Sequence, residues 1–192
     1  MDDPEIPGYT ILGRLGEGGM ATVYLARQDN FTRQVALKVM ALHLAPDPSF
    51  GERFQREAHI VAQMSHRNFV PVFDVGQHGE FHYMSMEYLP NGNLKSLMAE
   101  GLALNDGLHI AREIASGLHY AASKNFVHRD IKPENILFRE DHSAVIADFG
   151  IARQMDSDTQ MTVIGTVVGT AYYMSPEQAR AETIDGRSDL YN

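Results

Sequence analysis

The 192-residue chain contains no cysteine. Without thiols there is no disulfide framework and no thiolate metal site, which fits a reducing compartment. A long apolar run is also missing, because no stretch approaches the about 18 residues that a membrane-spanning helix requires. The opening "MDDPEIPGYT" lacks the basic and apolar character of a secretory signal. A cytoplasmic location, with no membrane contact within this chain, is the expectation, although a longer gene product could carry an anchor. Basic excess is absent too: 16 Lys and Arg face 25 Asp and Glu, a formal charge of -9. A nucleic-acid binder needs a basic stripe to meet phosphate, so that class is set aside. What is present, 44% apolar and 21% charged residues, describes a globular protein. The length allows one domain with a real core or two small lobes.

The apolar pattern changes along the chain. From Tyr9 to Glu87 it reads mostly as strands, "TVYLARQ", "QVALKVM", "FVPVFDVG" and "FHYMSMEY", separated by the turns "DNFTR" and "QHGE". One helix interrupts them, with Phe54, Ala58, Val61 and Met64 on a single face. "LPNGNL" breaks the pattern and marks a hinge between lobes. Beyond it Leu104, Leu108, Ala111, Ala115 and Leu118 step as the buried face of a helix, with Asp106 at its positive end. A short strand pair, "NILF" and "AVIA", follows. The stretch from Asp148 to Glu177 has little periodicity, and structureless segments of that length are usually functional. Nine histidines form no metal site: His78 and His82 lie across a turn, and no third ligand has helpful spacing.

Four constellations carry chemistry. "LGEGGMATVYLA" sets Gly16, Gly18 and Ala21 as G-x-G-x-x-A. A dinucleotide fingerprint would need a helix after it, whereas residues 22–28 read as a strand. A glycine-rich flap over phosphates and an ordinary hairpin both remain open. Lys38 sits inside the apolar strand "VALKVM", where an ammonium needs a partner, and Glu57 on the following helix is available. Val127 and residues 136–138 read as short strands holding the polar loop "HRDIKPEN" between them, and such loops carry catalytic groups. Asp148 follows in "IADFG". Phosphoryl transfer needs a carboxylate for the attacking hydroxyl, a cation on the moving group and oxygen ligands for Mg²⁺. Asp130, Lys132 and the pair Asn135 and Asp148 match those needs in that order.

Together these motifs resemble the protein kinase family: the glycine-rich loop, V-A-x-K, H-R-D-x-K-x-x-N, D-F-G and a P-E motif. "LGEGGMATVYLA", "HRDIKPENILF" and "GTAYYMSPEQA" are similar to the bacterial serine/threonine branch, and "IPGY" and "ENILFRED" to kinases associated with type VI secretion. The resemblance implies a two-lobed α+β fold. Residues 9–88 form an antiparallel-sheet N-lobe with one regulatory helix, and residues 89–192 a mainly helical C-lobe. The hinge falls at about 87–92 and the activation segment at 148–177. A long helix would begin near Asp189, so the C-lobe is expected to be incomplete in this chain. Ala21 replaces the third glycine, and Ser175 stands where alanine is usual.

The resemblance also implies roles. Lys38, paired with Glu57, contacts phosphates. Asp130 is the catalytic carboxylate, and Lys132 stabilises the moving phosphoryl group. Asn135 and Asp148 hold Mg²⁺ or Mn²⁺. Leu15, Gly16, Gly18, Val23, Ala36, Met86 and Leu137 surround ATP, with the backbone at Glu87 and Leu89 on the purine edge. Thr162 and Thr166, then Thr159, are the candidate phosphosites. The partner is a protein with a Ser or Thr acceptor, and a transient homodimer could serve autophosphorylation. The alternative function is a non-catalytic ATP-binding or scaffolding fragment.

Overall fold

The computed structural model describes residues 3–18, 21–41, 50–148 and 171–192; the side chains of residues 41, 50, 52, 53, 57 and 171 lie outside that description. Two compact units are present. One comprises Met1–Met64 with Pro71–Tyr88, the other Ser65–Val70 with Leu89–Asn192.

The first unit holds strands β1 (Tyr9–Glu17), β2 (Ala21–Gln28), β3 (Arg33–Ala41), β4 (Val72–His78) and β5 (Phe81–Glu87), with helix α1 (Phe50–Ala62) before β4. The strands form a sheet ordered β1-β2-β3-β5-β4, antiparallel at every pairing. Because Ala21 opens a strand, the helix required by a dinucleotide fingerprint is not there. The β4–β5 hairpin turns at Gly79, whose φ of 56° suits the residue type that tight hairpin turns demand.

Period-two alternation divides the sheet. Tyr24, Ala26, Val35, Leu37 and Val39 pack with Ile6 on one face. The opposite face receives α1, where Phe54 meets the ring of His82 edge-on at 5.6 Å. The helix face read from the sequence is buried as expected at Phe54, Ala58 and Val61, and Met64, buried too, lies two residues past the helix end.

The second unit holds α2 (Leu94–Glu100), α3 (Leu104–Ser123), a 3₁₀ turn at Pro133–Asn135, β6 (Ile136–Phe138), β7 (Ala144–Ile146), and the short helices α4 (Pro176–Ala179) and α5 (Gly186–Tyr191). The fold class is therefore as expected, α+β and two-lobed, with a sheet lobe and a mainly helical lobe. Three local readings need correction. Residues 69 and 70 do not begin β4. Phe69 bridges Ile146 in parallel, and the Val70 N–H donates to the Ile146 carbonyl at 2.9 Å, so this segment extends the β6–β7 pair instead. Val127 lies in no strand.

The buried stripe of α3 is also rotated from the expected one. Leu104 and Leu108 are 77% and 61% exposed, and Ala111 and Ala115 are exposed too. Of the expected stripe Leu118 is buried, and Ile110, Gly117 and Ala121 are buried in place of the other four. The reason is close approach. A Cβ at Gly117 would lie 3.0 Å from Ile146 Cδ1 and 3.4 Å from Asn68 Cβ, so the glycine lets the helix settle on β7. Two adjacent apolar stripes share the helical period, and the small residue decides between them.

Candidate active site

The loop between α3 and β6 is organised by its own side chains. Lys132 Nζ lies 2.9 Å from Asp130 Oδ2. Asn135, at the end of the 3₁₀ turn, donates its amide N–H groups to the Asp130 carbonyl at 2.8 Å and to Asp130 Oδ2 at 3.0 Å. Two donors on one oxygen fix the plane of the carboxylate. Asp130 and Asn135 are both buried. Because Asn135 commits its nitrogen to Asp130, its amide oxygen is the atom it can offer a hard cation. An amide oxygen and a carboxylate such as that of Asp148 are hard oxygen donors of the kind Mg²⁺ or Mn²⁺ takes. Asp148 itself has a φ of 54°. Residues 149 and 150 of the D-F-G motif lie outside the described residues.

The loop backbone is anchored from below. Asp189, on α5 and only 3% exposed, accepts the N–H of His128 at 2.7 Å through Oδ2 and that of Arg129 at 2.8 Å through Oδ1. Arg129 has a φ of 69°. For a side chain with a Cβ, the left-handed region costs of the order of 1–2 kcal/mol, so the surrounding contacts must hold it. Burial pushes the Asp189 carboxyl up, and the two backbone N–H groups pull the other way.

His128 is buried and neutral. Its Nδ1 accepts the Asp130 N–H at 3.4 Å and its Nε2 donates to the Ala147 carbonyl at 3.2 Å, a pattern only the uncharged ring can satisfy. Burial holds it below the ordinary 6.5. Burial lowers His82 as well. The folded state therefore binds fewer protons than the unfolded state once the pH drops below 6.5. The stabilisation is complete above that value and is lost as the pH falls through the depressed folded values. Denaturant midpoints should decline as the buffer is taken from about pH 7.5 to about pH 5.5, and His128→Gln should flatten part of that slope. A midpoint constant or rising across the interval would contradict the neutral, buried assignment.

On the first unit, register sets Gly16, Val23, Ala36, Lys38 and Met86 on neighbouring strands. Lys38 pairs with Val23 on β2 and with Met84 on β5, while Ala36 pairs with Met86, and Val23 pairs with Gly16. Alternation puts Val23, Ala36, Lys38 and Met86 on the face that receives α1. Lys38 is half-buried on the central strand, between buried Leu37 and Val39. Glu57 lies on α1, its side chain outside the described residues. Gly18 closes the glycine-rich turn by donating to the Ala21 carbonyl at 2.8 Å, and Leu15 is 45% exposed. Glu87 ends β5 and gives its N–H to the Pro71 carbonyl at 3.0 Å. In the second unit, Leu89 is buried and Leu137 sits mid-strand in β6 opposite Val145. Thr159, Thr162 and Thr166 lie outside the described residues.

Sequence reasoning took Asp189 only as a helix start and missed its part in holding the loop. It also missed Gln178, whose Nε2 donates to the Arg129 carbonyl at 2.9 Å. Ser175, read as a modest departure, is the N-cap of α4 in a reciprocal capping box with Gln178. The pattern S-x-x-Q was the available signal. Glu177 accepts the Ser188 hydroxyl, which holds its carboxyl below the ordinary value.

Comparison with known proteins gives the same direction. The protein kinase domain family matches residues 9–192. A probable serine/threonine-protein kinase of Streptomyces coelicolor is 41% identical over 201 residues, covering 100% of this chain and 30% of its own length. The serine/threonine-protein kinase PrkC of Bacillus subtilis is 38% identical over 185 residues, covering 95% of this chain and 28% of its own. PknB of Mycobacterium leprae is 39% identical over 190 residues, again with 30% of its own length covered. The crystal structure of the Mycobacterium tuberculosis PknI kinase domain matches with a TM-score of 0.75 at 31% identity, covering 96% of this chain and 70% of that one. The chain spans less than a third of the length of these curated relatives. It belongs to the protein kinase family, in the bacterial serine/threonine branch to which PknB and PrkC are related.

Proposed function

We propose that the chain is the catalytic part of an ATP-dependent serine/threonine protein kinase. The observation that carries this is the Asp130 carboxylate, held by Lys132 and Asn135 on one oxygen. A hydroxyl oxygen of the protein substrate attacks the γ-phosphorus, the bond to the β–γ bridging oxygen breaks, and Asp130 receives the hydroxyl proton. Lys132 is placed to offset charge on the transferring group. Lys38, oriented by Glu57, contacts the phosphates under the loop of Leu15, Gly16 and Gly18. Val23, Ala36, Met86 and Leu137 take the adenine, with the Glu87 and Leu89 backbone on its edge. Asn135 and Asp148 would hold Mg²⁺ or Mn²⁺, which would supply positive charge against the phosphate oxygens.

In this reading residues 9–88 and 89–192 act as the two lobes about a hinge at 87–92, and residues 148–177 form the activation segment. Among the described residues no helix is long and apolar enough to cross a membrane. The proposed setting is cytoplasmic, with a protein substrate. A tie to type VI secretion rests on two short stretches alone, and the proposal stays with the broader branch.

Transfer of label from γ-labelled ATP to a generic basic protein, followed by phosphoamino-acid analysis, tests the function. Phosphoserine and phosphothreonine are expected. ATP binding without transfer would favour the non-catalytic scaffold, and phosphotyrosine would overturn the acceptor assignment. Autophosphorylation, through a transient homodimer, is expected at Thr162 or Thr166, with Thr159 next. A phosphothreonine there could engage Arg129, whose guanidinium suits phosphate. Mass spectrometry of active protein showing none of these three modified would place the switch elsewhere.

A further inference from the structure

We propose that Gln178 is a positioning residue for the catalytic loop, its side-chain amide bridging the N-cap of α4 and the carbonyl of Arg129. The inference rests on the phosphotransfer reading only for the role given to Asp130; the bridge stands without it. Gln178 uses both ends of one amide. Its Oε1 accepts the Ser175 N–H at 2.9 Å, and its Nε2 donates to the Arg129 carbonyl at 2.9 Å. Its own backbone N–H returns to Ser175 Oγ at 3.3 Å, and Ser175 is fully buried. A carboxylate of the same length could keep the first contact but not the second, because it has no proton to donate.

The target is informative. Arg129 is the left-handed residue immediately before Asp130. Its N–H is already held by Asp189 Oδ1 at 2.8 Å. Gln178 holds its carbonyl, so the residue is gripped on both sides of its Cα. The carbonyl direction follows ψ of Arg129, and that same rotation carries the peptide leading into Asp130. Release of the carbonyl frees this rotation, and the Asp130 carboxylate loses its fixed approach to a hydroxyl. Fold and helix cap can survive that loss, since Ser175 still accepts the Gln178 backbone N–H.

Hydrogen exchange on the full chain, read by mass spectrometry for wild type, Gln178→Glu, Arg129→Gly and the double variant, tests the bridge without relying on activity. Gln178→Glu should speed exchange within residues 127–131 by about 3–10-fold, the range expected for loss of one net hydrogen bond, with α1 and the five-stranded sheet unchanged. Glycine adopts the left-handed conformation at little cost, so in the Arg129→Gly background the same substitution should have a smaller effect. Unchanged exchange in Gln178→Glu, an equal effect in both backgrounds, or acceleration throughout the chain would each overturn the proposal. In a parallel kinase assay Gln178→Glu should lower kcat and leave KM for ATP unchanged, and an unaltered kcat would overturn the positioning role. Local exchange changes in Gln178→Glu, together with a wild type that transfers no phosphate, would leave the bridge standing and sink the phosphotransfer reading instead.

Discussion

Asp130→Asn is expected to lower the rate of phosphotransfer by about 10²–10⁴-fold, the usual range for loss of a placed base or orienting group. Nucleotide affinity should be unchanged. The two expectations separate because the groups involved are separate. Lys38 and the glycine-rich turn belong to the sheet unit, whereas Asp130 sits in the loop before β6. The substitution keeps shape but replaces one carboxylate oxygen with an NH₂ group. That group cannot take a proton from a hydroxyl, and if it faces Lys132 or Asn135 it meets donors with a donor. Turnover on a peptide substrate and equilibrium ATP binding, measured on the same preparation, check the outcome. Near-wild-type turnover would remove Asp130 from the reaction. Loss of ATP binding would show instead that the substitution had disturbed the nucleotide contacts.

What was legible in the sequence was what depends on neighbours in the chain. Strands β2, β3 and β5 announce themselves by alternation, and the central position of β3 follows from its apolar run around Lys38. The face of α1 was readable because it has one apolar stripe. On α3 the same rule failed, since two stripes compete and the choice rests on contact between Gly117 and Ile146. Residues 69 and 70 looked like the start of β4 because a β-rich run does not say which partner strand it will join. The anchoring of the loop was hidden for a related reason. Asp189 meets backbone N–H groups 61 and 60 residues earlier, and Gln178 meets a carbonyl 49 residues earlier. Backbone groups leave no residue-type signature, so nothing at His128 or Arg129 advertises who receives their N–H groups.

Asp189→Ala should be among the more destabilising single changes in the second unit. It leaves the buried N–H of His128 and the half-buried N–H of Arg129 without acceptors, at about 1–3 kcal/mol each. One effect works in the other direction. Burial raises the Asp189 carboxyl, so removing it also removes the cost of ionising a carboxylate away from water. That relief has a defined sign with pH. A raised folded value means the group's contribution is full below the ordinary 3.8 and declines as the pH rises through the folded value. The shift is upward even with the two N–H groups counted against it, so the relief grows as the pH rises and works against the loss of their acceptors. The net loss is put at about 2–4 kcal/mol, a large share of the 5–15 kcal/mol that usually holds a domain folded. Asp189→Asn keeps one acceptor oxygen and turns its NH₂ toward the second backbone N–H, so it should fall between wild type and alanine. Urea denaturation at neutral pH decides the matter through the midpoint at unchanged slope. A midpoint for Asp189→Ala equal to or above that of wild type would mean that burying the carboxylate costs more than its two hydrogen bonds return, and that Arg129 keeps its left-handed conformation by other contacts.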